Sequence, residues 1–366
     1  MVADDETPHD TVVYDCLLLE ETTAKHLAKL CREVESQEAC FASAVTTLYE
    51  RDLLALHSKN SCYSDWRRCY NLLHDLGMID LSLTRIIESH ISAVRLIQEF
   101  GSDHLLSRVE SLIKQNKIIG LWHHNANLPV KIEPDQDRFL LEGSKRFSSG
   151  LGLVTQSVVT GQCELGKTHL LLVDVSDFHR MNLKDWQVNA MKGSASGSYR
   201  FDGVSISSKD FIGQPEDFFK EPEHTGNLWR FCASLVGAMT FLHNQTKESV
   251  LAKKNLATDY DLQQVFDASR HYQTAKLWTE YLAQSFEERY SSSSFRHCDS
   301  LLGQATVIEN CHKMISALEK VAGAKVFFVD HPAERMLRDL RFYLNQGNQR
   351  FSPRQFAKTC SELTEN

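Results

Sequence analysis

Four things are missing from this sequence: a long apolar run, an excess of positive charge, cysteines at metal-ligand spacing, and proline-rich stretches. No apolar run approaches the roughly 20 residues a helix needs to cross a bilayer, so a membrane span is excluded as a reading. The 366 residues carry 48 acidic and 40 basic side chains, a formal charge of −8 with the histidines neutral. Such a field repels phosphate backbones, which excludes nucleic acid as a partner. The first thirty residues open on acids and never set a basic region ahead of a continuous apolar one. Neither a secretory signal nor an anchor is read there, and a cytoplasmic protein is expected.

The ten cysteines, at positions 16, 31, 40, 62, 69, 163, 232, 298, 311 and 360, contain no CxxC pair and no zinc-ligand spacing. They read as reduced, mostly core-filling thiols in a reducing compartment, and none is assigned a catalytic role. Of the seven prolines, two fall in IGQPEDFFKEPEHTGN, residues 212–227, which reads as a linker.

What is present organises into three stretches. Apolar residues make up 42% of the chain, enough for a large core and for two or three domains. Residues 1–116 read as helices, with apolar side chains recurring at three and four, as in Ile86, Ile87, Ile91, Val94 and Ile97. Thr84 or Ser82 is placed to cap that helix, and Gly101 to end it. Residues 117–213 change to short runs bounded by turn residues, among them KIIGLW, RFLLEG, SVVTGQC, THLLLVDV and SYRFDGVSI, the pattern of strands. Residues 214–366 return to the helical period. Phe231, Leu235, Ala238 and Leu242 share one face, and Val307, Cys311, Met314, Leu318 and Val321 another. SSSSFRHCDS, residues 291–300, reads as the break between two long helices.

Three motifs then appear in one order. HPAERMLRDLRFY, residues 331–343, resembles the segment leading into the catalytic loop of acyl-CoA dehydrogenases. EGSKRFSSG, residues 142–150, resembles that family's "G-x-K-x-(W/F)-x-(T/S)-(N/S)-G" strand, and DWQVNAMKGSASGSYRFDGVSI resembles the strand pair that follows it. The chain is identified as a divergent member of the acyl-CoA dehydrogenase superfamily. The resemblance implies an α+β fold with an N-terminal all-α domain, a middle β-barrel-like domain and a C-terminal four-helix bundle. It also implies FAD as cofactor, a homodimer or homotetramer, and a small-molecule or acyl-thioester substrate.

The implied cofactor contacts are Phe147, whose ring stacks on the flavin, with Ser148 and the hydroxyl of Ser149 at the ring edge. IIGLWHHNAN departs strongly from the family's flavin loop, leaving Trp122, His124 and Asn125 as candidates there. Lys253, Leu256 and Gln264 stand where the family has an arginine, a phenylalanine and a glutamine that reach a neighbouring subunit's flavin. Lysine keeps the charge but loses the bidentate fork that grips a pyrophosphate.

A desaturase of this family needs a carboxylate to remove the α-proton of a thioester. The ungapped reading puts Gly347 there, beside Gln346, and the alternative position at the start of the bundle holds Asn227 and Leu228, with Glu223 upstream. Three readings follow: a flavin monooxygenase or oxidase in which His124, His243 or Gln346 assists; an inactive binding or structural subunit; and a dehydrogenase with a non-standard base. A metal reading, resting on Glu309 with His312 and on Glu221 with His224, is set aside because the second pair spans Pro222.

Overall fold

The structure, a computed structural model, describes Val12, residues 14–36, 39–56, 61–220, 223–288 and 293–345, Arg354 and residues 356–358. Helices α1 (Glu21–Glu35), α2 (Ala42–Glu50), α3 (Trp66–Ile79), α4 (Leu81–Phe100) and α5 (Asp103–Lys114) come first. Ten strands follow, from β1 (Ile119–Trp122) to β10 (Phe211–Ile212). The chain then returns to helix in α6 (Glu223–Gly226), α7 (Trp229–Leu251), α8 (Asp259–Glu288), α9 (Ser293–Ala322) and α10 (Glu334–Leu344). These elements form two compact units: one of Met1–Cys31, Trp66–Thr84 and Thr225–Asn366, the other of Arg32–Asp65 and Arg85–His224.

The first unit is helical. Its centre is α7, which is apolar on nearly all sides and buried without interruption from Trp229 to Leu242, as a helix surrounded by neighbours must be. Glycine lets α3 and α7 approach backbone to backbone. A Cβ on Gly77 would stand 2.2 Å from the Ser234 carbonyl oxygen, and one on Gly237 would stand 1.9 Å from that of His74. The expected α9 face of Val307, Cys311, Met314, Leu318 and Val321 is buried. That helix begins earlier than expected, at Ser293, so residues 293–300 are helical rather than a break. The cap of α4 also differs. Asp80 accepts from the Leu83 amide at 2.7 Å, and a carboxylate at an N-terminus answers both the unpaired amides and the helix dipole. The Thr84 hydroxyl instead donates to the Asp80 carbonyl at 2.5 Å.

The second unit is built on sheets. The remaining strands are β2 (Val130–Asp135), β3 (Arg138–Glu142), β4 (Ser144–Arg146), β5 (Gln156–Gln162), β6 (Thr168–Asp174), β7 (Met181–Asn182), β8 (Ser198–Arg200) and β9 (Val204–Ile206). One sheet runs β10-β6-β5-β2-β3-β9, with β1 parallel to β5 along Ile119–Trp122, and a smaller sheet runs β4-β8-β7. β10 and β9 end the path of the larger sheet, which stays open where a barrel-like closure was expected. Between the sheets Trp122, Tyr199 and Phe201 form an aromatic layer, with ring centroids 5.6 and 4.9 Å apart. Each buried aromatic removes roughly 150–250 Å² from water, worth roughly 4–6 kcal/mol before entropy is counted.

Candidate functional site

β1 ends in the loop His123–Asn125, and the strand is anchored by side chains of α4. His90 Nδ1 accepts from the Ile119 amide at 3.0 Å, and Ser89 Oγ accepts from the Leu121 amide at 2.9 Å. Because Nδ1 accepts, the His90 proton sits on Nε2, which faces the Tyr63 hydroxyl at 2.7 Å. Burial pushes this imidazole down to about 3, so it stays neutral and keeps its accepting nitrogen. The loop itself pairs with β4: the Arg146 amide donates to the His124 carbonyl, and the Ala126 amide donates to that of Ser144.

Strand alternation on β4 turns Lys145 inward between Ser144 and Arg146, and it is fully buried. Its ammonium group donates to Asn125 Oδ1 at 2.5 Å, Thr160 Oγ1 at 2.7 Å and the His123 carbonyl at 3.3 Å. The Thr160 hydroxyl sends its own proton to the same carbonyl at 3.2 Å. Burial lowers Lys145 from its ordinary 10.5 to about 7. His123 is pushed well below its ordinary value, first by burial and then by His124 and the charges of Arg85, His224 and Lys145. His124 is lowered to about 4, by burial first and then by Arg85, Arg146 and Lys145. Both imidazoles are therefore neutral at pH 7, each with one ring N–H donor and one accepting nitrogen. Their rings lie 4.1 Å apart, and Phe218 stands 5.5 Å from His123.

Phe147 follows in a left-handed conformation, φ +55°, a strained setting for an aromatic residue. The turn leaves its ring 49% exposed, with the Arg146 guanidinium 4.9 Å from its centroid, His124 at 5.8 Å and Trp186 at 6.2 Å. Behind it the chain is stitched to the turn Met191–Gly197. The Ser148, Gly150 and Leu151 amides donate to the carbonyls of Gly197, Ser194 and Ala195. The Ser149 hydroxyl lies 3.0 Å from that of Ser196, and Ser196 lies 2.9 Å from Ser194. The buried Ser148 hydroxyl and His123 Nδ1 have no hydrogen-bond partner among the described residues. Trp122, expected at the site, is a core residue whose indole N–H donates to the Ser149 carbonyl at 3.1 Å. The structure thus brings the rings of His124 and Phe147 together, and holds Asn125 on Lys145, a residue outside the expected set. An inward-pointing lysine in a short strand is the signal that reveals it.

The other expected residues belong to the helical unit. Lys253 is ion-paired to Asp261 at 2.6 Å, and this bond is the first cause holding that carboxyl down to about 2. Gln264 is buried, whereas Leu256 is 83% exposed. His243 Nε2 meets the Ser269 hydroxyl at 2.8 Å and its ring stacks on Tyr272. Burial, then Lys247, lowers it to about 4. Because the Ser269 hydroxyl donates to the Val265 carbonyl, His243 Nε2 carries the proton and donates to Ser269. Asn227 Oδ1 accepts from Arg230 at 2.5 Å, so no carboxylate stands at that position. Gln346 and Gly347 lie outside the described residues. Glu309 pairs with Lys313, and among the described residues no cluster of three metal-ligating side chains occurs. Nor is any described helix long and apolar enough to cross a membrane.

No family model matches the chain. A dibenzothiophene monooxygenase of Rhodococcus erythropolis is 26% identical over 197 residues, 49% of this chain and 46% of that protein. The chain thus spans about half the length of the curated relatives it matches. The solved TdsC of Paenibacillus sp. A11-2, in complex with FMN and indole, aligns with TM-score 0.79 at 18% identity over 92% of this chain and 95% of its own. Glutaryl-CoA dehydrogenase of Mycobacterium smegmatis aligns with TM-score 0.76 at 12% identity, covering 94% and 96%. The chain has the acyl-CoA dehydrogenase fold.

Proposed function

We propose that this protein is a flavin-dependent oxidoreductase of monooxygenase or oxidase type acting on a small molecule. The observation that carries this reading is the loop around Lys145: neutral histidines, hydroxyls and positive charge beside a half-exposed aromatic ring. Similarity to dibenzothiophene monooxygenases supports the same class.

The site's chemistry fits a flat heterocycle with polar edges. Phe147 offers a ring to stack on, and the unpartnered Ser148 hydroxyl and His123 Nδ1 offer polar contacts that would otherwise go unmet. A reduced flavin, when bound, supplies electrons and activates oxygen. The chain's own part is to hold the ring between Phe147 and the loop, to keep His124 unprotonated as a proton acceptor, and to hold Asn125 in one orientation through Lys145. FMN, which TdsC binds, is proposed alongside the expected FAD. Lys253, Leu256 and Gln264 enter the reading as contacts to the flavin of a second copy in a cytoplasmic homodimer or homotetramer.

The test is titration of the purified chain with FMN and FAD, followed by flavin fluorescence. Saturable binding that weakens at least fivefold in Phe147→Ala is expected; no binding of either flavin overturns the reading. One observation favours a cofactor-free binding subunit instead. Lys253, the counterpart of a phosphate-gripping arginine, is already committed to Asp261. That alternative is the one supported by absence of binding.

A further inference from the structure

The chain ahead of α1 enters the helical unit without an element of its own, bending through Leu17–Leu19 before the helix begins at Glu21. Backbone amides in such a segment need partners from elsewhere. One side chain supplies them. Asp75 of α3 accepts from the amides of Leu17 at 2.8 Å, Leu18 at 2.7 Å and Leu19 at 2.9 Å, three successive donors closing on one carboxylate as in an anion-binding nest. A carboxylate only accepts, so His74 Nδ1, 2.9 Å away, donates to it as well. Oδ1 takes Leu17 and His74, Oδ2 takes Leu18 and Leu19, and the accepting capacity of both oxygens is filled.

Apolar packing adds little to this hold. Leu17 is 46% exposed, and Tyr14, Cys16 and Leu18 are only half-buried. Leu19 is the buried side chain between Tyr14 and Leu19. The second polar tie, Asp15 accepting from Asn244 of α7 at 2.7 Å, lies at the surface. Between the two ties the segment spans the seam of α3 and α7, beside the place where the His74 carbonyl and Gly237 meet backbone to backbone. The helices do not depend on it for their own contact, since α7 is buried without interruption from Trp229 to Leu242.

We propose that residues 14–19 form a strap latched by Asp75: the strap opens as a unit of its own, leaving α3 and α7 folded, and the carboxylate is what keeps it shut. Opening gives the carboxylate water in place of three amides, a local cost well below that of unfolding the helices. The strap is then the first place at which a protease reaches the helical unit.

The experiment uses the full chain and Asp75→Asn, followed by amide hydrogen exchange and by chymotrypsin, for which Tyr14 and Leu17–Leu19 are cleavage sites. Asparagine keeps the shape of the side chain but has one accepting oxygen, and its N–H donors face amides that need an acceptor. In wild type the Leu17–Leu19 amides are expected to exchange at least about tenfold faster than those of Phe231–Leu242, because a local opening exposes them. In Asp75→Asn the strap amides should lose nearly all protection and chymotrypsin should remove the segment, while α3 and α7 stay protected by at least about 1000-fold. Asn244→Ala, which breaks the surface tie, should speed strap exchange by less than about fivefold.

Equal exchange of strap and α7 amides in wild type overturns the proposal, because the segment then opens only with the whole unit. A strap that stays protected in Asp75→Asn overturns the latch and assigns the hold to Leu19. Loss of protection in α3 and α7 together with the strap in that variant overturns the separate opening. The wild-type comparison decides the matter even where Asp75→Asn does not fold.

Discussion

The two units treat buried charge in opposite ways. In the helical unit the fully buried Asp75 accepts from the Leu17, Leu18 and Leu19 amides at 2.8, 2.7 and 2.9 Å and meets His74 at 2.9 Å. Arg230 is buried against Glu287 at 3.1 Å, and Asp80 against Arg335 at 3.2 Å. These charges are closed within the protein: they tie segments together and leave nothing for a ligand. The sheet unit pairs Arg85 with Glu88, and Arg108 with Asp210 at 2.7 Å, yet leaves Lys145 among neutral partners. A buried charge met by an opposite charge is neutralised where it stands, whereas Lys145 is hydrogen-bonded without being neutralised.

Four substitutions test that contrast. Asp75→Ala should be the most damaging, because it strands three backbone amides and His74 in the core. A loss of about 3–5 kcal/mol in denaturant unfolding is expected, as for other broken buried pairs; a loss under 1 kcal/mol would show that water replaces the carboxylate. Gly237→Ala comes next. Its added methyl group would meet the His74 carbonyl and force α3 and α7 apart, costing about 1–3 kcal/mol by the same measurement.

Lys145→Met should behave unlike either. At pH 6, where the wild-type ammonium group is charged, the variant is expected to match or exceed wild type by about 1 kcal/mol, because the change removes an uncompensated ion from the core. Marked destabilisation at pH 6 would place Lys145 with the structural charges and erase the contrast. Phe147→Gly should have the smallest effect on folding, within about 1 kcal/mol, since glycine takes the left-handed conformation without strain. Its effect should fall on FMN titration instead, and a loss of stability with unchanged FMN binding would make the ring a core residue.

Much of the fold was legible because periodicity is a local signal. The apolar spacing of α4 and α9 and the short runs of β1, β3, β5 and β6 follow from which side chains must face a core. What escaped were features set by partners distant in the chain. β2 carries a charged, half-exposed pattern that lacks a strand's apolar run, and it is held by pairing with β3 and β5. The cap at Asp80 was misplaced because Thr84 and Ser82 are equally good cap types, and nothing local says where the chain turns. Phe147 and His124 were visible as motif positions. The Ser149 hydroxyl, expected at a ligand's edge, meets Ser196, forty-seven residues on.

The sequence by itself determined the order of elements and the faces of the long helices, since these depend on neighbours two to four residues away. Only the tertiary structure decided that Lys145 is buried and meets Asn125 and Thr160 rather than an acid, that Trp122 belongs to the core, and that Lys253 pairs with Asp261. The physical reason is that a buried polar group's partner is chosen by which chain segment comes within about 3 Å of it, and that distance is fixed by the packing of the whole unit.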